Sequence, residues 1–284
     1  VSLPTLRESL EQRGLMARKS FGQHFLLDLN ITRKIVRLGQ EGRGGPFDGE
    51  VVIEVGPGPG GLTRALLETE AKTVIAIEMD ARFIDLLGEL NAVYGGRFEV
   101  IQGDAVKTDE ARLLAERGLP PRAHIVSNLP YNVGTPLLIK WLTGPWRPLS
   151  MTLMFQLEVA LRVVAPVGDD DYGRLGVIAQ VLCDCEKLMD LPARAFTPPP
   201  KVDSAVVKLV PKADRPDAAV VRNLERVTAA AFGQRRKMLR ASLKGLGGEA
   251  LLERAGIDPT QRAEQVPPTD FLRLAALLER NAPG

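Results

Sequence analysis

Cysteine is nearly missing from this chain: 284 residues carry two, Cys183 and Cys185. So close together they make neither a disulfide framework nor a complete zinc site, and they fit strand positions in a reducing compartment. No run of about 18 apolar residues occurs, so no membrane span is expected. The first residues are polar and charged throughout and carry no signal-peptide core. These absences give a cytoplasmic expectation. Internal repeats and low-complexity tracts are lacking too, which leaves out repeat arrays. A strong charge of either sign is also missing, the net being +2. That charge is unevenly placed, however. Residues 212–284 hold 13 Lys and Arg against 9 Asp and Glu, whereas residues 1–211 hold 24 against 26. A basic excess in the tail points to a polyanionic partner.

The length allows one large or two ordinary domains, and 45% hydrophobic residues suffice for a sizeable core. The most informative stretch is Val51-Val52-Ile53-Glu54-Val55-Gly56-Pro57-Gly58-Pro59-Gly60-Gly61. Its first five residues read as a buried strand, and Leu62 to Leu67 read as a helix. Glycines between them let the backbone turn sharply and let a ligand approach a helix N-terminus. A tight turn with no ligand gives the same pattern, so the neighbours matter. Thr73 to Ile77 forms a second apolar run ending in Glu78, where a carboxylate can hold ribose hydroxyls. Phe98 to Ile101 forms a third, leading to Gly103-Asp104-Ala105. To this point NAD and S-adenosylmethionine are both compatible.

The fourth strand, Ala123 to Ser127, separates them. It runs into Asn128-Leu129-Pro130-Tyr131, an Asn-apolar-Pro-aromatic form similar to the amino-methyltransferase motif, for which hydride chemistry has no use. As an isolated tetrapeptide it is an ordinary turn; at the end of a fourth strand behind a glycine loop it is more. Further candidate strands are 149–155, 183–191 and 205–210, the last two a hairpin-like pair with a long connection. Helices are expected over 4–13, after a cap at Asp28 with Ile31, Ile35 and Leu38 inward, and over 175–182. Asp169-Asp170-Asp171 reads as solvated surface and not as a metal cluster. Pro211 to Pro216 reads as a linker. Beyond it helices are expected over 217–233, 236–244, 249–255 and 268–281. Alternating strands and helices predict an α/β fold with a mainly parallel sheet.

Taken in order, these motifs resemble those of the ribosomal RNA adenine dimethyltransferase family, from about Arg18 to the C-terminus. The segments are Phe21-Gly22-Gln23-His24-Phe25-Leu26, Glu54-Val55-Gly56-Pro57-Gly58, Glu78, Gly103-Asp104, Asn128-Leu129-Pro130-Tyr131, Phe196-Thr197-Pro198-Pro199-Pro200-Lys201-Val202-Asp203-Ser204 and Phe232-Gly233-Gln234-Arg235-Arg236-Lys237. One departure is His24, where many members have Asn; an imidazole can still donate a hydrogen bond. The resemblance implies a Rossmann-like class I S-adenosylmethionine-dependent methyltransferase with a seven-stranded sheet. It divides the chain into a catalytic domain, 1–211, opening with an arm over 1–27 that carries a cofactor motif, and a helical RNA-binding domain, 212–284.

The same resemblance implies roles. His24 and the Leu26 main chain flank the methionine end of S-adenosylmethionine. Gly56 and Gly58 let the loop approach it, Glu78 accepts from its ribose hydroxyls beside Met79, and Asp104, with Ala105, meets its adenine. Asn128 lies between cofactor and target base. Asn128 and the Leu129 carbonyl accept from the adenine N6 amine, whose lone pair is otherwise delocalised. Pro130 shapes that turn, and Tyr131 and Phe196 stack on the base; packing under the proline loop is the plain alternative for Phe196. The reaction needs no metal. Arg18, Lys19, Arg235, Arg236, Lys237, Arg240 and Lys244 meet RNA phosphates, with Arg236, Arg240 and Lys244 on one helix face; a solvated face is the plain alternative. The implied substrate is a pair of adjacent adenosines near the 3′ end of 16S ribosomal RNA, in the 30S subunit or its precursor, and the enzyme is expected to be a monomer with a part in subunit biogenesis. Rivals are a large-subunit RNA or a DNA adenine methyltransferase, and an assembly factor that binds RNA without methylating it.

Overall fold

The structure, a computed structural model, describes residues 3–15 and 24–279. A seven-stranded sheet is built from β1 (Val51–Val55), β2 (Thr73–Glu78), β3 (Phe98–Gln102), β4 (His124–Asn128), β5 (Met151–Gln156), β6 (Cys183–Leu191) and β7 (Ser204–Pro211), in the order β3-β2-β1-β4-β5-β7-β6. The pairs β1–β2, β2–β3, β1–β4 and β4–β5 are parallel, and β7 runs antiparallel to β5. This is the Rossmann-like α/β arrangement the strand pattern predicts. The expected neighbours 183–191 and 205–210 do lie side by side. All five residues of β1 are buried, as its central place between two parallel neighbours requires.

From β1 the chain moves outward to β2 and β3, then returns to β4 on the other side of β1. The connections diverge there, and a crevice opens beyond the C-terminal ends of β1 and β4. Gly56, Glu78 and Asn128 therefore converge, because each comes at or just after the end of a strand.

The chain divides into two compact units. The first comprises residues 1–138, 146–160 and 187–210. Within its described residues, helix α1 (Leu6–Gln12) starts at Thr5, which forms a capping box with Glu8. Leu6 and Leu10 are buried, and the Arg64 guanidinium donates to the Pro4 carbonyl at 2.7 Å. Helix α2 (Leu29–Gln40) begins where Asp28 Oδ1 accepts the Asn30 N–H, as expected, and buries Ile35 and Val36. It packs on α3 (Gly61–Leu67), whose residues are all buried. Helices α4 (Ala81–Tyr94), α5 (Glu110–Ala115) and α6 (Gly134–Thr143) come after β2, β3 and β4. Helix α7 (Leu157–Val164) continues directly from β5.

The second unit takes in 139–145 and 161–186 besides 211–284, so it is larger than the expected tail. The reason is packing. Helix α8 (Arg174–Leu182) lies against α9 (Ala218–Gly233) and α12 (Pro268–Glu279). Tyr172, fully buried, donates its hydroxyl to the Val266 carbonyl at 2.6 Å, and its ring meets Phe232, which in turn meets Phe271. A tail of short helices has too little apolar surface to close a core alone. The expected helix over 236–244 is a second correction. After α9 the chain turns through Gln234 to Arg236, makes only a short α10 (Leu239–Ser242), and passes through a 3-10 turn at Lys244–Leu246 before α11 (Gly248–Ala255). Leu239 and Arg240 give their N–H groups to the carbonyls of Gln261 and Pro259 instead of to a preceding turn.

Candidate active site

The crevice at the end of β1 is a cavity of about 550 Å³ whose described lining residues all belong to the first unit. Its floor is the glycine loop. Gly56 has φ +66°, a left-handed conformation that side chains resist, and a Cβ there would come within 3.2 Å of the Pro130 ring. At the first residue of α3, a Cβ on Gly61 would sit 2.3 Å from the Leu26 carbonyl oxygen. The absence of side chains thus lets the segment after His24 close over one end of the cavity. Phe25 pairs with Thr197 as an isolated antiparallel bridge, which holds this segment against the proline-rich connection.

Two carboxylates enter the cavity from adjacent strands. Glu78, at the end of β2, is 7% exposed. Its Oε2 accepts the Gly58 N–H at 3.0 Å and its Oε1 the Asp80 N–H at 2.9 Å. Burial raises its pKa, and those N–H groups oppose the rise. Glu54, inside β1, is 1% exposed, and the Thr63 hydroxyl donates to its Oε2 at 2.6 Å. Burial, with Glu78 nearby, pushes its pKa up to about 8. The sequence motif contains Glu54 without suggesting a role for it. The signal was available: an acid at position 54 in an otherwise apolar, buried strand. Asp80, which caps α4 and pairs with Arg82, and Phe83 also line the cavity unforeseen.

Asn128 is the last residue of β4, held in register with Met154 of β5. It lines the cavity together with Leu129, Pro130 and Tyr131. The Tyr131 ring stacks with His24 at 5.7 Å between centroids, and its hydroxyl lies 3.3 Å from Ser204 Oγ. His24 Nδ1 is 2.8 Å from the Pro198 carbonyl, an acceptor only, so Nδ1 carries the hydrogen and donates it there. The donor expected of His24 is therefore spent on the proline connection, and in the neutral ring Nε2 is an acceptor.

The structure thus brings His24, Leu26, Gly56, Gly58, Glu78, Met79, Asn128, Leu129, Pro130 and Tyr131 around one cavity. Met79, 63% exposed, forms an apolar lip. Three expected residues are not in the lining. Phe196 is 3% exposed and belongs to the hydrophobic core, the packing role that was its alternative. Asp104, half-buried after β3, accepts the Val106 N–H at 2.9 Å, and Ala105 is buried beside it. Arg18 and Lys19, with Phe21, Gly22 and Gln23, lie outside the described residues. In the second unit Arg235, Arg236, Lys237, Arg240 and Lys244 are all exposed. Because α10 is short, spacing by four does not place Arg236, Arg240 and Lys244 on one helix face. Arg235 donates to the Asp170 carbonyl at 3.0 Å.

The cavity suits a nucleoside-bearing cation. A glycine floor admits a ligand against main chain, two buried acids face it, and among the described residues no Lys or Arg is in its lining. Cys183 is held up to about 12 by burial and Cys185 is raised too, so neither offers a reactive thiolate. Among the described residues no helix is long and apolar enough to cross a membrane.

Comparison with known proteins agrees with this geometry. The sequence profile described as ribosomal RNA adenine dimethylase matches residues 14–280. A ribosomal RNA small subunit methyltransferase A of Phenylobacterium zucineum is 64% identical over 285 residues, spanning 100% of this chain and 96% of that protein. Among solved structures, a dimethyladenosine transferase of Plasmodium falciparum superposes with a TM-score of 0.75 at 27% identity, covering 90% of this chain and 98% of the other. The 23S ribosomal RNA methyltransferase ErmE gives a TM-score of 0.66 at 29% identity, covering 90% and 99%.

Proposed function

Because the chain belongs to the ribosomal RNA adenine dimethylase family, we propose that it transfers methyl groups from S-adenosylmethionine to N6 of two adjacent adenosines near the 3′ end of 16S ribosomal RNA. Two methyl groups would go to each base. The observation that carries this is the place of Asn128, fixed on the last residue of β4 at the rim of the same cavity that holds Glu54, Glu78 and the glycine loop. Likeness to the small-subunit relative, at 64% identity, outweighs likeness to the large-subunit enzyme, at 29%.

Bound S-adenosylmethionine supplies an electrophilic methyl group on a good leaving group. The protein's own residues do the rest. Glu78 holds the ribose, and the Gly56 to Gly61 loop and the His24 to Leu26 segment enclose the other end. Asp104 and Ala105 border the adenine from beyond β3. The Asn128 side-chain carbonyl and the Leu129 main-chain carbonyl accept from the target amine, so its nitrogen becomes more tetrahedral and its lone pair is freed. Fixing that amine in line with the methyl group supplies much of the rate, and the dipoles suit charge that disperses as the group moves. Tyr131, braced by His24, offers the face on which an unstacked base rests. Basic residues of the second unit hold the RNA. Such an enzyme works where ribosomal subunits are assembled, in the cytoplasm, as a monomer on the 30S subunit or its precursor.

Labelled methyl transfer to undermodified small subunits, followed by mapping of the modified bases, tests the proposal. Dimethyladenosines near the 3′ end of 16S RNA are expected. Modification of large-subunit RNA alone would overturn the choice of substrate, and binding without transfer would favour an assembly factor.

A further inference from the structure

Glu54 has no part in holding the ribose or the target base, yet it is the most deeply buried ionisable group at the cavity. At 1% exposed it stands inside a strand whose other residues are all apolar. Its one hydrogen-bond partner among the described residues is the Thr63 hydroxyl on α3, which occupies Oε2. Among the described residues no Lys or Arg lines the cavity beside it. Its charged neighbour is another acid, Glu78 on β2. Among the described residues the remaining ionisable groups around the same cavity are His24, Tyr131 and Asp80, and Asp80 is already paired with Arg82. A carboxylate so placed is shut off from bulk solvent and has no cation beside it among the described residues, and burying an unpaired charge costs far more than burying the neutral acid.

From this geometry we infer that Glu54 is a proton-exchanging counter-ion for the cofactor: it is a neutral carboxylic acid while the cavity is open, and it gives up its proton when the positively charged ligand enters. The inference rests on the S-adenosylmethionine reading above and adds a proton to its binding equilibrium. The balance is simple. The Glu54 O–H bond breaks, its electron pair stays on the carboxylate, the proton leaves to buffer, and the ligand's positive charge replaces it. Thr63 keeps its hydroxyl on Oε2 throughout and favours the ionised form. Glu78 differs because main-chain N–H groups from Gly58 and Asp80 hold its two oxygens. The consequence is an affinity that depends on pH through a residue that never touches the target base. Neutralising the acid in the open cavity also spares the fold two adjacent buried negative charges.

Isothermal calorimetry of S-adenosylmethionine binding to the whole protein, repeated in buffers of different ionisation enthalpy, counts the released protons. Wild type is expected to release close to one proton between pH 6 and 7.5, with affinity rising by about tenfold per pH unit as one linked proton demands. Release should fade above pH 8. Glu54→Gln, checked for folding by circular dichroism, should bind without releasing a proton and with an affinity that pH leaves unchanged over that range. Thr63→Val keeps the acid and removes its donor, so its proton release should persist to higher pH; this variant decides the matter if Glu54→Gln does not fold. Wild-type binding without proton release overturns the inference and leaves the cofactor reading intact. The same proton count in Glu54→Gln overturns it too, since the proton then belongs to another group. Absence of binding by wild type at every pH overturns the cofactor reading itself.

Discussion

Glu78 Oε2 accepts the main-chain N–H of Gly58 at 3.0 Å, which ties the end of β2 to the turn after β1. The carboxylate that would hold the ribose therefore also fixes the loop beneath it. A carboxylate has about four lone-pair sites. The Gly58 and Asp80 N–H groups take two of them and the Met79 N–H also points to the carboxylate, which still leaves acceptor capacity for the ribose.

Glu78→Ala is expected to weaken S-adenosylmethionine binding by more than one lost contact, because the loop loses its anchor as well. Hydrogen bonds to a charged group contribute about 1.5–3 kcal/mol, so a loss of tenfold to a hundredfold or more should appear in calorimetry on the folded variant. Unchanged affinity would remove Glu78 from the site.

Gly61→Ala runs against the usual rule for helices. Alanine in place of helical glycine normally stabilises by up to about 1 kcal/mol. Here the new Cβ would lie 2.3 Å from the Leu26 carbonyl oxygen, which is main chain and cannot swing aside. A net loss of about 1–3 kcal/mol is expected, seen as a lower urea midpoint with an unchanged slope. Cofactor affinity should fall with it, since Leu26 lines the cavity. A more stable variant would mean that the close approach of these two segments is wrong.

His124, at the start of β4, predicts how stability responds to acid. Its ring is 1% exposed, packed on Phe47, and held between the Ser150 hydroxyl and the Pro46 carbonyl. Burial, with Lys208 nearby, lowers its pKa to about 4. In the unfolded chain histidine protonates near 6.5. As pH falls from 6.5 towards 4 the unfolded state takes up a proton that the folded state refuses, so stability declines across that window. Glu54 acts oppositely: its raised folded pKa makes stability fall as pH rises from about 4.5 to 8. Comparing wild type with His124→Gln by denaturation at pH 4.5 and 7 isolates the histidine. The gap in stability between the two proteins should be smaller at pH 4.5, and an equal gap at both values would sink the assignment.

Much of the fold and of the site was legible because both depend on strand ends. Apolar runs at 51–55 and 73–78 are strands of a parallel sheet, and the residues just beyond each run must lie at one edge of it. That reasoning brought Glu78 and Asn128 to the same edge without any distance, and both line the cavity there. It failed where tertiary contacts decide. Phe196 looks like a stacking ring in its motif, and only the packing of the core shows it enclosed. Arg236, Arg240 and Lys244 have helical spacing, but hydrogen bonds from Leu239 and Arg240 to the Gln261 and Pro259 carbonyls interrupt the helix. The extent of the second unit depends on Tyr172 and α8, which precede the linker that composition suggested.

The exposed basic residues of the second unit carry their own test. Charge reversal at Arg236 and Arg240 should weaken binding to RNA or to small subunits and flatten its dependence on salt, because fewer counterions are released. Both side chains are exposed, so folding should survive. Cofactor binding should survive as well, since every described residue lining its cavity belongs to the first unit. Equal salt slopes for wild type and variant would make these residues a solvated surface.

Asn128→Ala separates enzyme from binding factor. The residue ends β4, and its main chain stays paired with Met154 whatever its side chain, so the sheet should tolerate the change. The substitution removes the side-chain acceptor proposed for the target amine and leaves the Leu129 carbonyl, the Tyr131 ring and the basic residues of the second unit in place. Removing one preorganised polar contact of this kind can lower a rate by about 10²–10³-fold. Methyl transfer should therefore collapse while subunit binding changes far less. Because Asn128 also borders the cofactor cavity, part of the loss can arise from weaker cofactor binding. Single-turnover assays at saturating S-adenosylmethionine remove that contribution and report the chemical step. Asn128→Asp adds a second reading: its carboxylate retains an acceptor but adds another acid to a cavity already lined by Glu54, Glu78 and Asp80. A variant that recovers transfer over alanine would show that accepting from the amine is the decisive property. Near-wild-type transfer by a folded Asn128→Ala would show instead that the Leu129 carbonyl suffices, and the role given to the side chain would have to be withdrawn.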